Sequence, residues 1–337
     1  MHFAKPAPLA LAATLALAAF GAQAQSQLKV YGLVDLSIGS SQEIGVGKPV
    51  KSTLDSGKLT TSYYGLSGSE DLGGGLSGLF KLESFLRADN GEQGRFGGDA
   101  QFSRTASVGL SHKDYGTLTL GRNTTALFLS TLSFNAFGDS FGYSPSIRHY
   151  FGSGQNAVTG DTGWSDSVAY ASPSWNGWRF GAASAAKEAN ASTASNGDNW
   201  SFNLAYASGP LAAALVVQDV EKDGASTVAD THTTQLNASY DFGVAKLFAQ
   251  YATVENRSTG IDSDLSGLGV RVPAGPGALI AQWGQNSPAT GAERNTYSVG
   301  YLYPLSKLTE LYATAMKDEL DGQPSGHSYS AGMRLRF

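Results

Sequence analysis

The chain has no cysteine, which removes thiol catalysis, disulfide frameworks and cysteine-ligated metal sites together. It has five histidines, and these are scattered: His2 lies near the start, while His112, His149, His232 and His327 fall at turns or loop-side ends without metal-ligating spacing. The glycine-rich stretch GLSGSEDLGGG (65–75) lacks a G-K-[ST] ending and a following helix, so its glycines suit a turn and close strand contacts, not a phosphate loop. Charged residues make up 15% of the chain, and 28 Asp+Glu outnumber 23 Lys+Arg; an acidic balance argues against a nucleic-acid partner. Beyond residue 24 no run of apolar residues is long enough to cross a bilayer as a helix. A membrane protein built from this sequence must therefore cross with strands.

What is present begins with a leader. Residues 1–24 read as a secretory signal peptide: Lys5 in a short first region, an apolar run from Leu9 to Phe20, and Ala22 and Ala24 flanking Gln23 before a cut at Gln25. The mature chain, 25–337, then has a net charge of about −6. At the other end HSYSAGMRLRF (327–337) alternates strictly, with Tyr329, Ala331, Met333, Leu335 and Phe337 on one face and Ser328, Ser330, Gly332, Arg334 and Arg336 on the other. One face meets oil and the other water, as in a transmembrane β-barrel.

The same period-two pattern predicts sixteen strands, over 28–38, 58–70, 76–87, 100–113, 117–123, 164–173, 178–188, 198–208, 210–221, 231–242, 244–255, 263–272, 277–286, 293–304, 308–318 and 327–337. Every second connection is a short turn, such as Asp114-Tyr115-Gly116 or Ala274-Gly275-Pro276; the others, 39–57, 88–99, 124–163, 189–197, 222–230, 256–262, 287–292 and 319–326, are longer and polar. Such asymmetry fits an all-β, sixteen-stranded antiparallel barrel with turns at one rim and loops at the other, and not a β-sandwich. The 42 glycines and 11% aromatics suit short strands, tight turns and interfacial girdles.

SYYGLSGSEDLGGGLSGLFKLE (62–83) and FSRTASVGLSHKDYGTLTLGRN (102–123), with LKVYGLVD, SVAYASPSWNG (167–177) and the terminal strand in order, resemble the general porins of Gram-negative, β-proteobacterial outer membranes. The resemblance covers the mature chain. It implies a homotrimer in the outer-membrane lipid that passes ions and small hydrophilic solutes by passive diffusion, with no cofactor. It implies also that the third long loop folds inward to narrow the pore, and that the barrel-assembly machinery reads the terminal aromatic, Phe337. The loop 124–163 fits that role, since Leu127, Phe128, Leu129, Leu132, Phe134, Phe137 and Phe141 are too apolar for a solvated loop and can anchor it to the inner wall.

Among constriction residues, Arg104 in FSRTA and Arg122 in LGRN match arginines of the family. Tyr63 and Gly163 stand where the family commonly has two more, and Arg148 is the candidate substitute. The missing pair implies weak anion preference or near neutrality. Periodicity opposes the carry-over, because Arg104 shares parity with Ala106, Val108 and Leu110, and Arg122 with Leu118 and Leu120. An ideal strand would aim both at lipid, so a bulge, a place beyond the apolar band, or an interfacial role is required. Lumen parity is clearer for Lys29, Asp35, Lys81, Glu83, Arg87, Arg179, Gln250, Arg271, Arg334 and Arg336, with Arg334 expected in wide lumen near the mouth. Asp139 is the loop's acidic contribution to a transverse field. Alternatives are a barrel enzyme of lipase or esterase type with His149 as base for a loop serine, a non-conducting structural barrel, and a substrate-specific channel lined by Tyr143, Tyr150, Phe151 and Trp164.

Overall fold

Alternating burial sets the architecture, and it is inverted relative to a soluble protein. The computed structural model describes residues 27–152, 159, 161–186, 198–221 and 230–337; the leader and the Gln25 cut lie outside them. Along residues 231–241, Thr231, Thr233, Gln235, Asn237 and Ser239 are buried while Leu236 and Tyr240 are exposed. Polar residues inside and apolar residues outside make sense only when the outer solvent is lipid.

The strands are β1 (Gln27–Gln42), β2 (Val50–Ser56), β3 (Tyr63–Gly73), β4 (Leu76–Arg87), β5 (Glu92–Gln93), β6 (Thr105–His112), β7 (Gly116–Thr124), β8 (Gly163–Ala171) and β9 (Trp178–Ala185). They continue with β10 (Asn199–Ser208), β11 (Leu211–Val220), β12 (Thr231–Asp241), β13 (Lys246–Asn256), β14 (Ser263–Ala274), β15 (Gly277–Pro288), β16 (Arg294–Pro304), β17 (Thr309–Leu320) and β18 (Gly326–Arg336). Each pairs antiparallel with its neighbours, and β18 returns to β1, from Leu33↔Arg336 to Gln42↔His327, so the sheet closes on itself. Closure removes every free edge from the hydrocarbon. The wall has sixteen strand positions. β2 and β3 share one of them, both pairing with β1, and the two-residue β5 only folds back on the end of β4.

The expected spans match within a few residues, with two instructive differences. The strand expected at 58–70 begins only at Tyr63, and the loop expected at 39–57 contains β2. The strand expected from residue 100 begins at Thr105, after a bend at Arg104. At the seam, the Phe337 and Gly32 backbones exchange hydrogen bonds of 3.1 Å in both directions. The Phe337 ring lies over Gly32, where a Cβ would come within 2.5 Å of it. Glycine is needed there so that the last aromatic can cover the first strand.

Candidate functional site

The described part of the long loop, 125–152, 159, 161 and 162, lies inside the barrel. It carries α1 (Ala126–Ser133), capped by Thr125, whose hydroxyl accepts from Phe128 N, and α2 (Pro145–Phe151), capped by Ser144. Leu127, Phe128, Ile147, Tyr150 and Phe151 pack against Val216, Ala252, Val254 and Leu265 of the wall. Of the seven loop residues expected as anchors, Leu127, Phe128, Phe134 and Phe137 are buried; Leu132 and Phe141 are partly so, and Leu129 is 50% exposed. Wall amides hold the loop's polar groups: Gln235 and Asn237 donate to Thr131 Oγ1 (2.8 Å) and Ser130 Oγ (2.7 Å), and Gln250 to the Thr131 carbonyl (2.9 Å). In a partly dry interior those groups would be costly without such partners.

α2 is locked to β15–β17. Asp318 accepts from Arg148 at 3.0 Å, from Arg294, and from Thr296 Oγ1 at 2.8 Å. The buried His149 meets Thr296 Oγ1 at 2.8 Å, and burial, with Arg294 next, lowers its imidazole to about 3. Gly284 of β15 makes room for the helix start, since a Cβ there would lie 2.7 Å from Pro145 Cβ.

A second segment also enters the lumen, one that period-two reading assigned to a strand. Between β2 and β3, residues 57–62 turn inward over Asp35. The Asp35 carboxylate accepts from Leu59 N (2.8 Å), Thr60 N (2.7 Å) and Tyr312 OH (2.6 Å). Lys58 O accepts from Ser140 Oγ (2.8 Å) and Gly142 N (3.2 Å), joining this segment to the long loop.

Opposite the long loop, charges of both signs converge. Glu83 of β4, 2% exposed, takes Tyr31 OH at 2.8 Å, Lys81 Nζ at 3.1 Å and Arg104 Nε at 3.3 Å. The Arg104 guanidinium lies over the Tyr63 ring at 4.1 Å, so the residue that stands in a family arginine's place supports a retained one. The parity objection to Arg104 dissolves because it precedes β6, where the bend re-aims it. Thr60 Oγ1 links Asp139 (3.3 Å) to Arg334 (2.9 Å), and Arg334 pairs with Glu310 at 2.7 Å. Burial raises the Asp139 carboxyl above its usual range, with Arg104 pulling the other way.

The structure thus brings together Lys81, Glu83, Arg104 and Asp139, and adds Arg334, which sequence reasoning placed in wide lumen. Three expected members lie elsewhere. Arg87 pairs with Glu92 at 2.6 Å at the end of β4. Arg148 serves the docking of α2. Arg122 donates to Asp161 at 2.8 Å, which also meets Arg95 at 3.4 Å. Against burial, which raises it, Arg95 and Arg122 hold the Asp161 carboxyl below the usual range. A register shift in β7 between Gly121 and Asn123 frees Arg122 for this rim contact. Tyr143, Tyr150, Phe151 and Trp164, expected to line a substrate path, are each 6% exposed or less.

Comparison with known proteins agrees with this geometry. The family model described as Gram-negative porin matches residues 10–323. The chain belongs to that family. It is 30% identical over 311 residues to outer membrane porin protein 32 of Delftia acidovorans, covering 90% of this chain and 87% of that one. It is 28% identical over 365 residues to an outer membrane porin protein of Bordetella pertussis, covering 90% and 92%. Among solved structures, an anion-selective porin from Comamonas acidovorans superposes with a TM-score of 0.78 at 26% identity, covering 93% of this chain and all of that one. An outer membrane protein of Vibrio cholerae in trimer form, 17% identical with a TM-score of 0.68, shares the fold. This porin is an outer-membrane channel.

Proposed function

We propose that this porin passes small hydrophilic solutes and ions passively, as a homotrimer, through a narrow zone whose charge is close to balanced. The observation that carries the reading is the composition of that zone: Lys81, Arg104 and Arg334 against Glu83, Asp139 and Glu310, most of them already paired. Fixed charges of both signs across a water-filled path orient dipolar solutes and filter ions weakly when they cancel. The Comamonas relative is described as anion-selective. This chain should prefer anions less, since Tyr63 and Gly163 stand in place of two family arginines. His149, the base of the enzyme alternative, is buried against Thr296. The trimeric form named for the Vibrio structure supports the homotrimer. Outer-membrane lipid and the barrel-assembly machinery are the further partners.

Single-channel recording in planar bilayers tests this, with reversal potentials in a salt gradient. A permeability ratio near unity to a few-fold in favour of anions is expected; a strongly cation-selective or silent protein would refute it. Export by a leader ending at Ala24 belongs to the same reading. Intact mass of protein from outer membranes should correspond to Gln25–Phe337.

A further inference from the structure

The ladder between β1 and the next wall position does not balance. Leu36 pairs with Ser56 and Leu33 with Tyr63, so Val34 and Asp35 face the six residues 57–62. An ordinary β-bulge adds one residue; this one adds four, and they enter the lumen. Leu59, 1% exposed, sits among Phe137 and Tyr143 of the long loop and Ile280, Leu302, Tyr312 and Met316 of the wall. Every member of that cluster is buried. The burial of inward faces follows suit: Ile280, Leu302, Tyr312, Thr314 and Met316 of β15–β17 are 6% exposed or less, while Lys81 is exposed and Ser67, Ser107 and Thr119 of β3, β6 and β7 are half-buried. Above the cluster lies a recess of about 350 Å³ bounded by Ser40, Asp55, Lys58, Tyr143 and Asp318.

We propose that residues 57–62 are a second pore-narrowing element, which with the tip of the long loop plugs the half of the lumen facing β15–β17. Solute is confined to the half lined by β3–β8, where Lys81, Glu83 and Arg104 lie, with the Arg334–Glu310 pair at its border beside Thr60. The recess is then the blind outer end of the plugged half. Asp35 is the positioning residue: its carboxylate takes the two backbone N–H groups at the turn, and its carbonyl takes Gly57 N at 2.9 Å. The inference rests on the pore reading above. A silent wild type would sink that reading, whereas a conducting wild type with an insensitive variant would sink only this one.

Deletion of 58–61 tests it, because Gly57 and Ser62 then fill the two ladder positions opposite Asp35 and Val34. Conductance should rise by about 1.5-fold or more and larger polyethylene glycols should enter. Unchanged conductance and polymer exclusion in the assembled deletion variant would overturn the proposal. Asp35→Asn should admit larger polymers in the protein that does assemble, a change that a lower folding yield alone would not give. Should the deletion not assemble, Thr61→Cys decides, because Thr61 is half-buried whereas Leu59, Thr60 and Ser62 are buried. The chain has no other thiol, so a cationic methanethiosulfonate added during recording should lower the current in steps. Labelling without a current change, or no labelling, would overturn the proposal.

Discussion

Acid should loosen the long loop through His149. Its imidazole is fully enclosed between α2 and the wall, with Arg148 on its own helix, Arg294 and Thr296 from β16, Asp318 from β17 and the Gln285 backbone from β15 around it. Burial and Arg294 lower it from 6.5 to about 3. A histidine lowered in the docked state favours docking fully above its free value, and this contribution is lost progressively as pH falls from about 6.5 towards about 3. Between pH 7 and pH 5 the opening equilibrium should therefore rise by about 25-fold, close to 2 kcal/mol. Hydrogen exchange of the amides of 145–151, corrected for the intrinsic pH dependence of exchange, measures it. His149→Gln keeps a hydrogen-bonding group towards Thr296 and should flatten the response. An equal response in both proteins, or none in the wild type, would refute the assignment to His149.

Arg104→Glu and Arg334→Glu should each move the reversal potential towards cations, most at low ionic strength, where screening is least. Each reversal changes the fixed charge by two units, which at about 6 Å from the path is worth ~1.4 kcal/mol for a monovalent anion in a water-like dielectric, roughly tenfold in its partition; a shift of the same size for Arg87→Glu would mean that the narrow zone is wrongly placed. Because the Asp139 carboxyl is raised, acidification should neutralise it earlier than an ordinary aspartate and increase anion preference, and Asp139→Asn should remove that step from the pH profile of the reversal potential. Gly32→Leu and Phe337→Ser should both lower the yield of heat-resistant oligomer on gels, while a change at Ser325 in the last loop should not; recovery equal to wild type for both seam variants would count against the ring-over-glycine closure.

The barrel was legible in the sequence because lipid on one side and water on the other force a period of two through every spanning strand. β18 shows it plainly, with Tyr329, Met333 and Leu335 exposed as expected, and β12 follows with Gln235, Asn237 and Ser239 buried against exposed Leu236 and Tyr240; in β13 the inward Phe248, Ala252 and Val254 are apolar because the inserted segments cover them. The inward fold of the long loop was legible from content, since Leu127, Phe128 and Phe137 have no reason to sit in solvent. Periodicity fails where the backbone leaves the ladder. Arg104 has lipid parity on paper, yet the strand it was counted in begins one residue later. Arg122 follows Leu118 and Leu120 until the shift after Gly121 releases it to Asp161.

The segment 57–62 was hidden for a further reason. Its composition, Gly57-Lys58-Leu59-Thr60-Thr61-Ser62, is that of an ordinary polar strand end, and the fact that sets it apart is a register difference visible only when β1 is laid beside both β2 and β3. Asp35 carried the one available signal. A carboxylate with lumen parity two residues past Leu33 suits a solvated pore wall, but Asp35 is 0% exposed, and a buried carboxylate needs donors close by. The nearest donors in sequence are its own strand's amides, which the ladder already uses; the donors it does find are the amides of Leu59 and Thr60, free only because those residues have left the wall. Sequence supplies the acceptor, and only the fold shows that a neighbouring strand must break to satisfy it.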